Sequence, residues 1–280
     1  MDLRDALEDE LSEGELDQLI TSFEVIGGIA MIEVPEELEH RKELIGEKLM
    51  EVNNHIRTVL REASERKGEF RTRDYEVIAG DEDTETIHKE YGCRFKVDPT
   101  VTYFSEREAT ERNRIARQVE DGETIMAMFA GIGPFPIVIA RQKEVEKIYA
   151  VELNPEACHY LRENVSLNKM EDEIVPIEGD VRDVCPDYFG QCDRVLMPLP
   201  KSSHQFLELA IRCLKQEGGT VHYYTHAEET EEGLYGEAEE RLRKKAEKLG
   251  KKVSFLDERK VLPYAPRQWK ICLDAEFVEK

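Results

Sequence analysis

Apolar positions along the chain follow two successive rhythms. In the first, Phe23-Glu-Val-Ile-Gly-Gly-Ile-Ala-Met-Ile-Glu-Val34 predicts two short strands around a Gly-Gly turn. Pro35-Glu-Glu then opens a predicted helix in which Leu38, Leu44, Ile45, Leu49, Val52, Ile56 and Leu60 recur at roughly helical spacing. Two further strands, around 74–79 and 94–97, complete a small α/β module. The second rhythm begins at Thr124, where strands at 124–129, 147–153, 174–178, 194–197 and 220–224 alternate with helices at 136–142, 155–168, 203–214 and 237–249. Two strands with no helix between them, 253–261 and 269–277, close the chain.

Strand–helix alternation produces a mostly parallel sheet covered on both faces, and two consecutive closing strands force one of them to run antiparallel. The fold class expected is therefore α/β. A seven-stranded, Rossmann-like sheet of the class I methyltransferase layout follows a small α/β domain, and ligands belong at the carboxyl ends of the parallel strands. The boundaries read as an acidic, mobile or weakly helical segment over 1–21, the small domain over 22–99 and the large one over 100–280.

Charge alters that picture less than its size suggests. Sixty-one acids against 39 bases leave −22, which taken alone argues against a polyanionic partner. Residues 1–20 and 221–240, however, each carry −7, while Arg57, Arg61, Arg66, Lys67, Arg71 and Arg73 form a basic concentration. A second basic run, 241–252, carries seven positive charges and reads first as a solvated helix face. The acid excess suits solubility in a salty cytoplasm, where screening acts over ~3 Å at 1 M salt. The six scattered cysteines suit a reduced compartment, with neither a disulfide frame nor a zinc site. No apolar stretch is long enough for a membrane helix, and the acidic opening is unlike a signal peptide.

Chemistry concentrates after the strand at 124–129. Gly131 and Gly133 allow a tight turn and close backbone approach to a ligand, and Glu152, at the end of the next strand, can accept both hydrogens of a ribose diol. The third glycine of the dinucleotide fingerprint is replaced by Pro134-Phe135, which disfavours a pyrophosphate. Asp180, after the third strand, adds a carboxylate placed to accept from an adenine amino group. Two acids on successive strand ends favour S-adenosylmethionine over NAD.

Several separate motifs are similar to those of one family. They include Met128-Phe-Ala-Gly-Ile-Gly-Pro-Phe135, Gly179-Asp-Val-Arg-Asp183, Met197-Pro-Leu-Pro-Lys-Ser-Ser-His-Gln-Phe206, Val221-His-Tyr-Tyr224 and Tyr264-Ala-Pro-Arg267. Upstream, Phe70-Arg-Thr-Arg-Asp-Tyr-Glu-Val-Ile-Ala-Gly80 and Tyr103-Phe-Ser-Glu-Arg-Glu-Ala-Thr-Glu111 extend the likeness to about 22–280. Together they resemble the archaeal and eukaryotic tRNA guanosine-37 N1-methyltransferases.

That resemblance implies methyl transfer from S-adenosylmethionine to N1 of guanosine 37 in the tRNA anticodon loop, by a monomeric cytoplasmic enzyme needing no metal. It implies Glu111 as general base, Arg71 beside the base where a cation stabilises the developing O6 charge, and Tyr103 orienting Arg107 and the substrate. Phe129, Gly131, Gly133, Glu152, Asp180 and Pro200 would hold the cofactor; Arg71, Arg73, Pro198, Pro200 and Lys201 would contact the substrate. Arg107 and Glu111, four apart at a predicted helix start, would share one face; apart from the family they read as a surface ion pair. His88 and His204 read as structural or supporting.

Three positions depart from the family pattern: Pro198 stands for its Asn, Ala127 for its Asp and Glu106 for its Pro. Archaeal members commonly carry a domain that grips the tRNA elbow, whereas about 20 acidic residues precede the middle domain here. Two alternatives remain. One is the related aminocarboxypropyl transferase of wybutosine synthesis, against which the 197–200 loop argues; the other is an RNA-binding protein with a cofactor pocket but no turnover.

Overall fold

In the larger sheet the strands lie side by side in the order β12-β13-β11-β10-β7-β8-β9, and β13 alone runs against its neighbours. These strands are β7 (Thr124–Met128), β8 (Lys147–Glu152), β9 (Ile174–Glu178), β10 (Arg194–Met197), β11 (Gly218–Glu228), β12 (Lys251–Ala265) and β13 (Gln268–Glu279). The computed structural model describes residues 2–64, 73–231 and 233–280. It divides into two compact units, 1–90 with 94–106 and 91–93 with 107–280.

The second unit holds the large sheet. Its helices are α4 (Ala109–Gln118), α5 (Pro134–Gln142), α6 (Pro155–Asn168), α7 (Val181–Val184), α8 (Leu207–Cys213) and α9 (Gly236–Lys248). The core is built from buried strand positions such as Met126, Val151, Val195, Val221 and Phe277, closed by Leu207, Ile211 and Leu242 from the helices. Because β7 is flanked by β8 on one side and β10 on the other, the order reverses there and opens a crevice at the carboxyl ends. The expected α/β class, its seven strands and its one antiparallel strand are all present. The helix expected over 203–214 is split into a 3-10 turn, Ser203–Phe206, followed by α8.

The basic run over 241–252 falls mostly on α9. There Glu239–Arg243 and Glu240–Lys244 pair four residues apart, at 3.2 and 2.5 Å, and Lys248 reaches Glu208 at 2.8 Å. It is a self-neutralised helix face.

The first unit contains α1 (Leu3–Leu7), α2 (Glu13–Gln18), α3 (Lys42–Val52) and β1 (Phe23–Ile26) to β4 (Tyr75–Gly80), with β2 (Ile29–Ile32) and β3 (Thr58–Glu62) between them. Strands β2 and β3 are parallel, with α3 as their crossover. A hairpin of β5 (Thr86–Glu90) and β6 (Cys93–Val97) follows.

Two expectations need correction. The helix does not run through Ile56 and Leu60: it ends at Val52, where the Asn53 side chain caps the carbonyl of Leu49, and Leu60 lies in β3. Nor is the acidic opening a weakly ordered tail. Leu3, Leu7, Leu11 and Leu16 are buried with Leu38, Ile45 and Leu49, and Asp2 and Ser12 form capping boxes with Asp5 and Glu15. Glu15 also binds Arg41 at 3.1 Å; with the Ser12 bonds this lowers its carboxyl to about 2. Acids that read as a solvated run thus serve partly as helix caps.

Candidate functional site

The loop that leaves β7 is built for close backbone approach. Phe129, Gly131 and Gly133 have φ of 56°, 57° and 91°, a region open to glycine and costly for phenylalanine. Gly133 caps α5 in the left-handed conformation, and a Cβ there would meet Leu161 Cδ1 at 2.5 Å. Leu161 is fully buried, so it has no room to retreat. Gly133→Ala is therefore expected to destabilise the second unit by about 1–3 kcal/mol. Denaturant unfolding followed by the fluorescence of Trp269, the chain's single tryptophan, measures this.

Glu152 closes β8 beneath that loop. Its Oε2 accepts from Gly131 N at 2.7 Å and its Oε1 from Asn154 N at 2.8 Å. Burial pushes its carboxyl up, against the pull of those backbone donors. A carboxylate has roughly four lone-pair sites, so acceptor capacity remains for a diol. Asp180, at the start of α7, accepts from Arg182 N at 2.8 Å and Arg182 Nε at 2.9 Å, and Arg182 holds it below the usual carboxylate range. A ligand amine reaching Asp180 would share it with Arg182.

After β10, Pro200 is buried, Pro198 half-buried and Lys201 exposed. Phe206 packs edge-on against Phe129, with centroids 5.1 Å apart, and Ser203 Oγ donates to the carbonyl of Tyr224 at 2.6 Å. Tyr224 in turn packs on Phe135 of α5 (5.9 Å), and its hydroxyl donates to Glu111 Oε1 at 2.6 Å. Burial pushes that hydroxyl far up, so it stays protonated and remains a donor. One tyrosine thus joins the start of α5, the 3-10 turn after β10 and Glu111.

Glu111 is buried on α4 and takes a bidentate pair from Arg114, Nε to Oε2 and NH2 to Oε1, both at 2.8 Å. The surface pair of Arg107 with Glu111 does not form. Arg107 is exposed in the 3-10 turn before α4, so helical four-residue spacing does not carry across to Glu111.

Behind Glu111 the charges continue. Arg114 also binds Asp274 at 2.5 and 3.2 Å, Asp274 accepts from His222 Nδ1 at 2.6 Å, and His222 Nε2 faces Arg194 at 2.7 Å. Arg194 pairs with Glu123 at 2.7 and 2.8 Å. An arginine cannot accept, so His222 Nε2 does, and its proton sits on Nδ1. Burial lowers the His222 pKa, favouring the neutral ring. Burial opposes ionisation of Asp274, but its bonds from His222 and Arg114 outweigh that and hold its carboxyl low. His222, Cys272 and Asp274 lie close enough to suggest a metal, yet guanidiniums touch the imidazole and the carboxylate, and both would repel a cation.

Apart from His204, the remaining expected residues fall in the first unit or outside the described residues. Arg71 lies outside them. Arg73 pairs with Glu62, Tyr103 is half-buried, and His88 stacks on Phe104 at 5.1 Å. His204 is exposed. Tyr224, Arg114, His222 and Asp274 escaped prediction. A histidine and two tyrosines inside an apolar strand pattern, Val221-His-Tyr-Tyr224, were the available signal.

Comparison with known proteins agrees with this architecture. Residues 86–255 match the TRM5/TYW2 methyltransferase domain, and residues 3–84 match the TYW2 N-terminal domain. The tRNA (guanine(37)-N(1))-methyltransferase Trm5b of Pyrococcus abyssi is 45% identical over 91% of this chain and 74% of its own length. A crystal structure of Trm5b from that organism superposes with a TM-score of 0.86 at 42% identity, covering 96% of this chain and 78% of that one. The tRNA(Phe) (4-demethylwyosine(37)-C(7)) aminocarboxypropyltransferase of Methanocaldococcus jannaschii is 38% identical, over 85% of this chain and 93% of its own. TYW2 of Pyrococcus horikoshii, solved in complex with MeSAdo, superposes with a TM-score of 0.85 at 31% identity, covering 99% and 98% of the two chains.

Proposed function

The chain belongs to the TRM5/TYW2 methyltransferase family, and from that premise we propose that it methylates N1 of guanosine 37 in tRNA, with S-adenosylmethionine as donor. The observation that carries the reading is Tyr224, which ties the buried carboxylate of Glu111 to the start of α5, directly after the glycine loop, and to the 3-10 turn after β10. A proton acceptor is thereby fixed to the same strand ends as the cofactor loop, as methylation of a protonated ring nitrogen requires.

The residues fit the cofactor. Glu152 offers acceptors for its ribose, the turn at Gly131 and Gly133 lets the backbone come close, and Phe129 is held by Phe206. When bound, S-adenosylmethionine supplies a methyl group on a sulfonium, whose C–S bond electrons return to sulfur as N1 takes the carbon. Glu111 would remove the N1 proton with a lone pair of its carboxylate, leaving the pair of the broken N1–H bond on N1 to form the new N1–C bond. Pro198, Pro200 and Lys201 lie on the loop that would face the base, and Arg71 and Arg73 would approach the nucleotide, Arg71 at the developing O6 charge. A guanosine inside a folded anticodon loop has to be turned out of its stack to reach such a site. Binding energy is spent on positioning donor, acceptor and base together.

One observation favours a second reading, aminocarboxypropyl transfer to a modified guanosine at the same tRNA position: residues 3–84 match the TYW2 N-terminal domain. Both reactions use the same sulfonium but break different C–S bonds. Incubation of unmodified tRNA transcripts with S-adenosylmethionine labelled in the methyl or in the carboxyl group separates them. Methyl label entering G37 transcripts and not A37 transcripts is expected. In a parallel incubation with tRNA carrying 4-demethylwyosine at position 37, carboxyl label entering that tRNA, with no methyl label in G37 transcripts, would replace the first reading by the second.

A further inference from the structure

Helix α4 buries Ile115 and Ala116, yet the side chains it sends to the strands of the sheet are polar. At successive turns Glu108 binds Lys270 of β13 through both oxygens at 2.8 Å, Glu111 binds Tyr224 of β11, and Arg114 binds Asp274 of β13. At the last turn Gln118 donates to Asp274 at 2.8 Å, while its carbonyl accepts from Arg194 of β10 at 3.0 Å. Positions 111, 114 and 118 share one face of α4 and Glu108 stands at its N-cap, so the stripe that meets the sheet is made of ion pairs and polar hydrogen bonds where a core helix usually carries leucines.

Such an arrangement is an unusual choice for stability alone, since buried ion pairs seldom outperform apolar packing of the same volume. It gives defined orientation instead. Arg114 is clamped on its far side by Asp274, and Asp274 is oriented by His222 and Gln118. His222 is fixed in one tautomer by Arg194, and Arg194 is held by Glu123. The chain ends on Glu111, whose two oxygens are treated unequally. Oε1 accepts twice, from Tyr224 and from Arg114, whereas Oε2 accepts once, from Arg114 Nε. With about two lone-pair sites per oxygen, Oε1 is filled and Oε2 keeps one open.

We propose that the charged stripe of α4, backed by Asp274, His222 and Arg194, positions Glu111 so that Oε2 is the atom that accepts the substrate's ring-nitrogen proton. The inference rests on Glu111 being the base. Arg114, Asp274, His222 and Tyr224 act through it as positioning residues. The chain holds three carboxylates, on buried Glu111 and Asp274 and half-buried Glu123, against two guanidiniums, on half-buried Arg114 and buried Arg194, around a neutral imidazole. Half-exposed Asp257, 3.2 Å from Arg114, adds a fourth carboxylate. When the proton reaches Oε2, negative charge in surplus is discharged and Arg114 keeps Asp274 as its partner, so no buried cation is left alone.

The test compares Asp274→Asn and Arg114→Lys with the parent enzyme in single-turnover methyl transfer to tRNA, alongside calorimetric cofactor affinity. Positioning predicts a fall in the rate constant on the order of tenfold to hundredfold, part of the ~10²–10⁴ that a placed general base contributes. It also predicts unchanged cofactor affinity and a smaller loss for Arg114→Lys than for Arg114→Gln, because lysine restores the charge without the fork. An unchanged rate in a variant that binds cofactor normally overturns the proposal. So does loss of cofactor binding in both variants, which would assign the stripe to folding. Glu111→Gln separates the two levels. Full turnover by that variant removes the base itself; its collapse beside an unaffected Asp274→Asn removes only the positioning role.

Discussion

Replacing Glu111 by glutamine is expected to lower single-turnover methyl transfer to G37 transcripts by about 10²–10⁴-fold, the range a positioned general base contributes, while the cofactor binds as before. Glutamine is close to isosteric, so it can still meet Tyr224 and one nitrogen of Arg114, and α4 keeps its place. It cannot take up a proton at the position of Oε2. The carboxylate's other partners, Arg114 on both oxygens and Tyr224 on Oε1, are all donors, so the substituted amide group is turned toward one of them or toward the substrate. Quenched-flow assays at saturating donor measure the step, and calorimetry with the free cofactor provides the control. Turnover equal to that of the parent would exclude Glu111 as the base.

The second large effect is expected at Glu152. Glu152→Ala removes both oxygens assigned here to the ribose, and hydrogen bonds to a charged group contribute about 1.5–3 kcal/mol each, so on that assignment cofactor affinity should fall by a factor on the order of 10²–10⁴. The same change orphans the amides of Gly131 and Asn154, which bind Glu152 at 2.7 and 2.8 Å, so the loop loses an anchor as well as the ligand. Glu152→Gln is expected to fall between, since an amide oxygen can serve one amide or one hydroxyl and its NH2 group opposes the other. Equilibrium dialysis with labelled cofactor reads both variants. Affinity unchanged in Glu152→Ala would place the ribose elsewhere. The two predictions separate cleanly, because one acts on the chemical step with binding intact and the other on binding itself.

The two substitutions also differ in how visible their targets are in the chain. Glu152 stands at a strand end about twenty residues after a glycine turn, and strand periodicity puts it there without any tertiary information. For Glu111 the residues alone indicated a surface ion pair with Arg107, and only the family motif marked it as a base. Its burial comes from Tyr224, Arg114 and Asp274, which lie 113, 3 and 163 positions away in sequence. The same limit explains the first unit's surprises. Leu3, Leu7 and Leu11 do recur every four residues, but among eight acids the repeat is too short to outweigh the polarity of its surroundings. Ile56 and Leu60 continue the spacing of α3 by coincidence; the chain turns at Asn53, and Leu60 pairs in β3.

The charge sorts along the same line. Its sum argued against RNA, and its distribution softened that argument, because the runs at 1–20 and 221–240 hold most of the excess. What the individual charges do appears only in three dimensions. Glu15 caps a helix, Glu239 and Glu240 neutralise α9, and Glu123 anchors the chain that ends at Glu111.

By itself the sequence determined the alternation of strands and helices, the glycine turn and the carboxylate at the next strand end. Each of these depends on residues near one another in the chain, through hydrophobic period and backbone conformation. Only the tertiary structure decided which charges are buried and which partners they keep. A polar helix such as α4 is indistinguishable in sequence from a solvated one. Its burial becomes favourable only when Lys270, Tyr224, Asp274 and Arg194, brought from three strands, meet the polar groups of Glu108, Glu111, Arg114 and Gln118.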